Sequence, residues 1–136
     1  MIKYMLDTNI IAYAINKSSE TVITRLMEHE PEEICISAIT MAELEYGILH
    51  SSRPERNRAA LMMFLAGITV VPFDSKAAYD YGEIREDLQV KGQPIGANDL
   101  LIAAHARSLG ITLVTHNVKE FSRVKNLLYE DWCESI

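Results

Sequence analysis

The chain has 136 residues, 49% of them hydrophobic and 24% charged, enough to enclose one core and polar enough to be water-soluble. Its net charge of −6 and pI of about 5.2 exclude a protein that coats nucleic acid by neutralising phosphates along its length. A nuclease stays open, because metal ions supply local positive charge in a site built from acids.

No apolar run is long enough to cross a bilayer, and no signal-like cleavage site follows the N-terminus. One cytoplasmic domain over residues 1–136 is expected. Cys35 and Cys133 form no metal-type CxxC pair and imply no disulfide framework; Cys35, in an apolar run, reads as a buried thiol.

In chain order, KYML (3–6) is a short strand and Thr8 to Asn16 a helix. A second helix runs from Glu20 to Glu30 and stops at Pro31. EICIS (33–37) is a strand. Ile39 to His50 is helical, with Ala42, Tyr46 and Leu49 at helical spacing, and Pro54 to Ala66 forms its hairpin partner. ITVVPF (68–73) is a strand and Ser75 to Val90 a helix that ends near Gly92. Asn98 to Leu109 is an Ala-rich helix closed by Gly110. ITLVT (111–115) is a strand, Glu120 opens a short helix, and NLLYEDW holds a final edge strand. Short apolar strands alternating with helices define an α/β fold: a mostly parallel sheet of about five strands with helices on both faces. In such sheets, sites form at the carboxyl ends of the strands.

Polar clusters occupy that edge: Asp7, Glu43, Asp99, and Asn117 with Glu120. Each has a purely structural reading. Asp7 or Thr8 caps the first helix. Thr40 to Glu43 fits a capping box, as does Asn117 to Glu120. Asn98 caps its helix with Asp99 favoured by the dipole. Taken together the cap readings weaken, because converging carboxylates repel and caps could be built from Ser, Thr or Asn. An acid set kept at one point suits a divalent cation, and all-oxygen ligands suit magnesium or manganese. The matching chemistry is phosphodiester hydrolysis.

The segments MLDTNI (5–10), ISAITMAELEYGI (36–48), PIGANDLLIAAHA (94–106) and LVTHNVKEF (113–121) resemble, in order and spacing, the motifs of the PIN-domain ribonucleases, and among them the VapC-type toxins of toxin–antitoxin pairs. The resemblance covers nearly the whole chain. It implies a PIN-like fold and a toxin that is a magnesium- or manganese-dependent endoribonuclease. Asp7, Glu43 and Asp99 map onto the family's acidic site, with Asp7 and Asp99 as metal ligands. Many members carry Asp where this chain has Asn117, and some use a nearby acid, here Glu120. The resemblance further implies a homodimer, a cognate VapB-type antitoxin through which any contact with DNA is made, and an RNA substrate, with initiator tRNA the preferred target. The alternative is a non-catalytic PIN-fold module that binds RNA or protein. An Asp-nucleophile phosphatase is disfavoured, since Asn9 stands where a second Asp is needed.

Other polar residues invite milder readings. Asn9 is expected to orient Asp7. Thr8 and Thr115 serve either as hydrogen-bond partners of the acids or as caps. His105 and His116 read as core or surface histidines, since the family's metal chemistry uses none. Arg53, Arg56 and Arg58 read as a solvated face. Tyr46 and Leu49 read as core or dimer surface. Met62, Met63 and Phe64 read as core, with an exposed apolar patch for a partner as the alternative.

Overall fold

The computed structural model describes residues 1–134; the last two residues of the expected domain lie outside the described residues. Its elements follow the sequence pattern: β1 (Tyr4–Leu6), α1 (Thr8–Ile15), α2 (Glu20–Met27), β2 (Ile34–Ser37), α3 (Ala38–Leu49), α4 (Pro54–Phe64), β3 (Thr69–Val71), α5 (Ser75–Val90), α6 (Ala97–Leu109), β4 (Thr112–Val114), α7 (Val118–Phe121) and β5 (Tyr129–Glu130). The second helix is shorter than expected. It ends at Met27, and a 3-10 turn over Pro31–Glu33, with proline at its start, leads into β2.

The five strands are ordered β3-β2-β1-β4-β5 and every pairing is parallel. With a period of two, each strand supplies both faces of the sheet. Met5, Cys35 and Leu113 join the core under α5 and α6, with Ile84, Leu88, Ile102 and Phe121. Leu6, Ile36 and Val114 join the opposite core, with Ile10, Ile11, Ile48, Leu61 and Trp132. Burial on both faces explains why the strands read as unbroken apolar runs.

Chain direction splits at β1. The next strand, β2, lies on one side of it and β4 on the other. Helices following β1 and β4 therefore leave a crevice at the carboxyl ends of these two strands. Register locks the two ends together: Leu6 pairs with Val114, and the Asp7 amide donates to the Val114 carbonyl at 2.9 Å. The first residues beyond these strands, Asp7 and Thr115, are thus brought side by side.

Two packing expectations need correction. Met62 and Met63 are 47% and 81% exposed. Leu61 on α4 and Leu65 at its C-terminal cap are buried in the core, and Phe64 packs against it as expected. Tyr46 and Leu49 are exposed as well, which leaves the surface half of their reading. His105 is buried, with its Nδ1 2.8 Å from the Ser37 hydroxyl, and Cys35 is buried as expected.

Candidate active site

Asp7 is the hub. It caps α1, with Oδ1 accepting from the Thr8 amide at 2.8 Å, while Oδ2 accepts from the Thr115 hydroxyl at 2.8 Å. Its exposure is 4%. The cap reading holds for this residue, and the cap does not remove it from the cluster of acids. Burial pushes its carboxyl above the ordinary range, against the two hydrogen bonds; Glu43 and Glu120 add repulsion.

Glu43 is not part of a capping box. Ser37 caps α3 through its own hydroxyl, so Glu43 stands on the second turn and projects toward Asp7. Its Oε1 accepts from the Thr8 hydroxyl at 2.5 Å and its Oε2 from the Asn98 amide at 3.2 Å. Asn98 is not a cap either. Gly96 holds that position without a side chain, and α6 begins at Ala97. Asn98 and Asp99 lie inside the first turn, and both are directed at the acids.

The third expected box fails in the same way. Asn117 caps α7 by backbone position alone, with no side-chain cap bond. Its amide nitrogen instead donates to Asp99 Oδ2 at 3.2 Å and to Glu120 Oε2 at 2.6 Å. Glu120 Oε1 accepts from the Gly96 amide at 3.0 Å. Asp99 and Glu120 sit against one another. Burial, then the contact with Glu120, lifts the Asp99 carboxyl to about 7, and the same contact holds Glu120 below its ordinary value. The contact thus favours ionisation of Glu120 over Asp99.

All five predicted residues therefore converge. Sequence reading under-used Thr115, which bridges Asp7 and the Asn117 amide (2.9 Å) and so ties the two ends of the site together. It also missed Gly96. A Cβ there would stand 3.5 Å from Asp99 Oδ2 and 4.0 Å from Glu120 Oε1, ordinary contact distances, so Gly96 acts through its backbone amide, which donates to Glu120. The cue was a glycine two residues before a polar pair at a helix start. Asn9, expected to orient Asp7, is exposed, and Thr8 and Thr115 hold that carboxylate instead. Arg58 turns to Glu45 at 2.5 Å, while Arg53 and Arg56 are exposed.

The charge balance is one-sided. Among the described residues, no lysine or arginine forms an ion pair with Asp7, Glu43, Asp99 or Glu120. The hydrogen bonds come from neutral donors: Thr8, Thr115, Asn98, Asn117 and two backbone amides. Four neighbouring carboxyls without an ion-paired cation, with only the field of Arg123 on Glu120, offer the all-oxygen chemistry that suits a hard divalent cation.

The chain is thus an α/β protein with its acids gathered at the switch point of a parallel sheet. Residues 4–127 match the PIN domain family, and the chain belongs to it. Within that family its relatives are VapC ribonucleases. It is 46% identical over 130 residues to ribonuclease VapC2 of Rickettsia felis, covering 95% of this chain and 97% of that protein. It is 41% identical over 133 residues to the tRNA(fMet)-specific endonuclease VapC of Salmonella typhimurium, covering 98% and 100%. The solved DNA-bound VapBC of Salmonella typhimurium superposes with a TM-score of 0.92 at 41% identity, over 98% of this chain and 100% of that one. VapBC2 of Rickettsia felis, bound to a promoter DNA fragment, gives 0.89 at 46%, over 97% and 99%. The chain therefore groups with the VapC members of this family.

Proposed function

We propose that this chain is the toxin of a type II toxin–antitoxin pair, acting as a single cytoplasmic domain that hydrolyses RNA phosphodiester bonds with magnesium or manganese. The observation that carries the metal dependence is the uncompensated acid set. Asp7, Glu43 and Asp99 would hold the ion, with Asn117 and Glu120 at its edge. Such an ion would supply activation of the attacking water and positive charge against the negative charge developing on the phosphate oxygens.

The chain's own groups prepare that event. Thr115 and the Thr8 amide fix both oxygens of Asp7. Thr8 and Asn98 fix Glu43, each through a different oxygen. Asp99 must ionise for the site to load, whereas Glu120, held below its ordinary value, ionises first. Asn117 bridges the pair without adding a further negative charge.

The substrate reading is tRNA, with initiator tRNA first, since relatives at 41% and 43% identity bear the name tRNA(fMet)-specific endonuclease. The partner is a VapB-type antitoxin. Support comes from the neighbouring structures, which are VapBC complexes, and from an apolar groove of about 300 Å³ between α1, α3 and α4. Ala12, Ile15, Leu44, Ile48 and Leu61 line it, and it ends at Thr8 and Glu43. A basic antitoxin side chain entering at that end would satisfy the carboxylates in place of metal. DNA contact is then indirect, through the antitoxin. The exposed face of α3 around Tyr46 and Leu49 supports a homodimer. No helix among the described residues is long and apolar enough to cross a membrane.

The test is to sequence RNA ends after brief induction of the chain without its antitoxin. New ends confined to the anticodon stem-loop of initiator tRNA are expected. Ends elsewhere, with that tRNA intact, would reassign the substrate; no new ends at all would favour a binding module.

A further inference from the structure

A second group of metal-ligating side chains lies apart from the acids. His116 follows β4, and Asp131 and Cys133 follow β5, the neighbouring strand. One ligand atom from each lies within 4.8 Å of the other two. The His116 Nδ1 is 3.0 Å from Asp131 Oδ2, and Asp131 Oδ1 accepts from the Cys133 amide at 2.8 Å. From this juxtaposition we propose a second metal site, formed by His116, Asp131 and Cys133 and selective for zinc or a similar borderline-soft divalent ion.

The three ligands are held from outside the group. Trp132, fully buried between Asp131 and Cys133, anchors the tail; its indole N–H donates to Glu130 at 2.9 Å. The Tyr13 ring packs edge-on against the His116 ring. The Cys133 carbonyl accepts from the Thr21 hydroxyl at 3.0 Å. The set is therefore fixed by α1, α2 and the sheet edge rather than by one flexible loop.

Chemistry separates this site from the acids. Imidazole and thiolate suit zinc and are poor ligands for magnesium, whereas the Asp7 cluster is all oxygen. Zinc takes nitrogen at about 2.0 Å and sulfur at about 2.3 Å, so the trio needs only a modest contraction to enclose an ion. Three protein ligands leave a fourth position for water. Burial, then Asp131, pushes the Cys133 thiol up to about 11, so binding displaces its proton. His116 directly precedes Asn117, and an ion here would pin the start of the β4–α7 connection to the C-terminal tail beside the active site.

The probe is cobalt(II), which gives a near-ultraviolet thiolate-to-metal charge-transfer band, added to the untagged full chain after chelation and dialysis. One equivalent should raise the band, and zinc should abolish it. A large excess of magnesium should leave it unchanged, because magnesium competes only for the acids. Cys133→Ser should lose the band, and His116→Ala should weaken cobalt binding at least about tenfold. Cys35→Ala and Asp7→Asn should keep it. Fluorescence of the single tryptophan, Trp132, reports whether each variant holds its tail in place. No band in the wild type, a band that survives in a folded Cys133→Ser, or loss of the band to magnesium would each overturn the site.

Discussion

Replacing Asp99 by Asn tests whether the acids are held together against their own repulsion. The Asp99 carboxyl is lifted from an ordinary 3.8 to about 7. A tenfold change in proton affinity is worth about 1.4 kcal/mol, so an isolated acid shifted this far would cost about 4 kcal/mol when ionised. Asp99 is partly open to solvent, which screens the effect, and the contact that raises it also lowers Glu120. A net cost of roughly 1–2 kcal/mol at pH 8 remains after that discount. Because the folded value is raised, the penalty is absent below about pH 4. It grows between about pH 4 and 7 and is complete above 7. Asp99→Asn removes it and forfeits a helix-dipole interaction of about 0.3–1 kcal/mol. In chelator at pH 8 the variant should melt as high as wild type or a few degrees higher, at about 4 °C per kcal/mol. At pH 5 that advantage should shrink. Magnesium at a hundredfold excess over its dissociation constant should stabilise wild type by about 2.7 kcal/mol, and the variant far less. Thermal melts of antitoxin-free protein with chelator or magnesium read all of this. A variant that melts clearly lower in chelator, beside a wild type indifferent to magnesium, would refute the reasoning and leave Asp99 a helix-terminus residue only.

Further outcomes follow from the same geometry. Asp7→Asn should lower RNA cleavage by more than about 100-fold and abolish growth arrest, as measured by gel assay and plating. Thr115→Val leaves the buried Asp7 carboxylate short of a donor. It should cost about 1–3 kcal/mol of stability in denaturant melts and weaken metal binding. Glu120→Gln and Asn117→Ala should each reduce cleavage, but less than Asp7→Asn; a Glu120→Gln enzyme with full activity under limiting metal would remove Glu120 from the site. Metal affinity measured calorimetrically should fall about tenfold for each pH unit below 7, as Asp99 takes up its proton.

The fold was legible because the three central strands are largely buried on both faces and some helices carry clear stops. Gly110 marks a real end, while α2 stops at Met27, short of Pro31. The site was legible because Asp7, Glu43 and Glu120 follow three strands of a parallel sheet and Asp99 opens a further helix. What sequence could not separate was a cap from a ligand. Thr40 to Glu43 and Asn117 to Glu120 satisfy the capping-box spacing, yet in both cases the side chains bond across the site instead. A local rule yields where a partner far along the chain is closer in space: Thr8 lies 35 residues from Glu43. The role of Thr115 was hidden for the same reason, since its contact with Asp7 spans 108 residues. Strand order carries no local signal, so the pairing of β1 with β4 that brings Asp7 to Thr115 emerges only from the assembled sheet. The apolar Met62 and Met63 misled because composition does not say which side of α4 meets the core.

The central claim is that the Asp7, Glu43 and Asp99 cluster is a metal-dependent ribonuclease centre. Its most direct test is the cleavage rate of purified, antitoxin-free protein on tRNA, first stripped with chelator and then restored with magnesium or manganese. The account predicts no cleavage by the stripped wild type and recovery on adding either ion, with Asp7→Asn inactive throughout. Stripped wild-type protein cutting as fast as the restored enzyme, with the Asp7→Asn preparation clean, would contradict it.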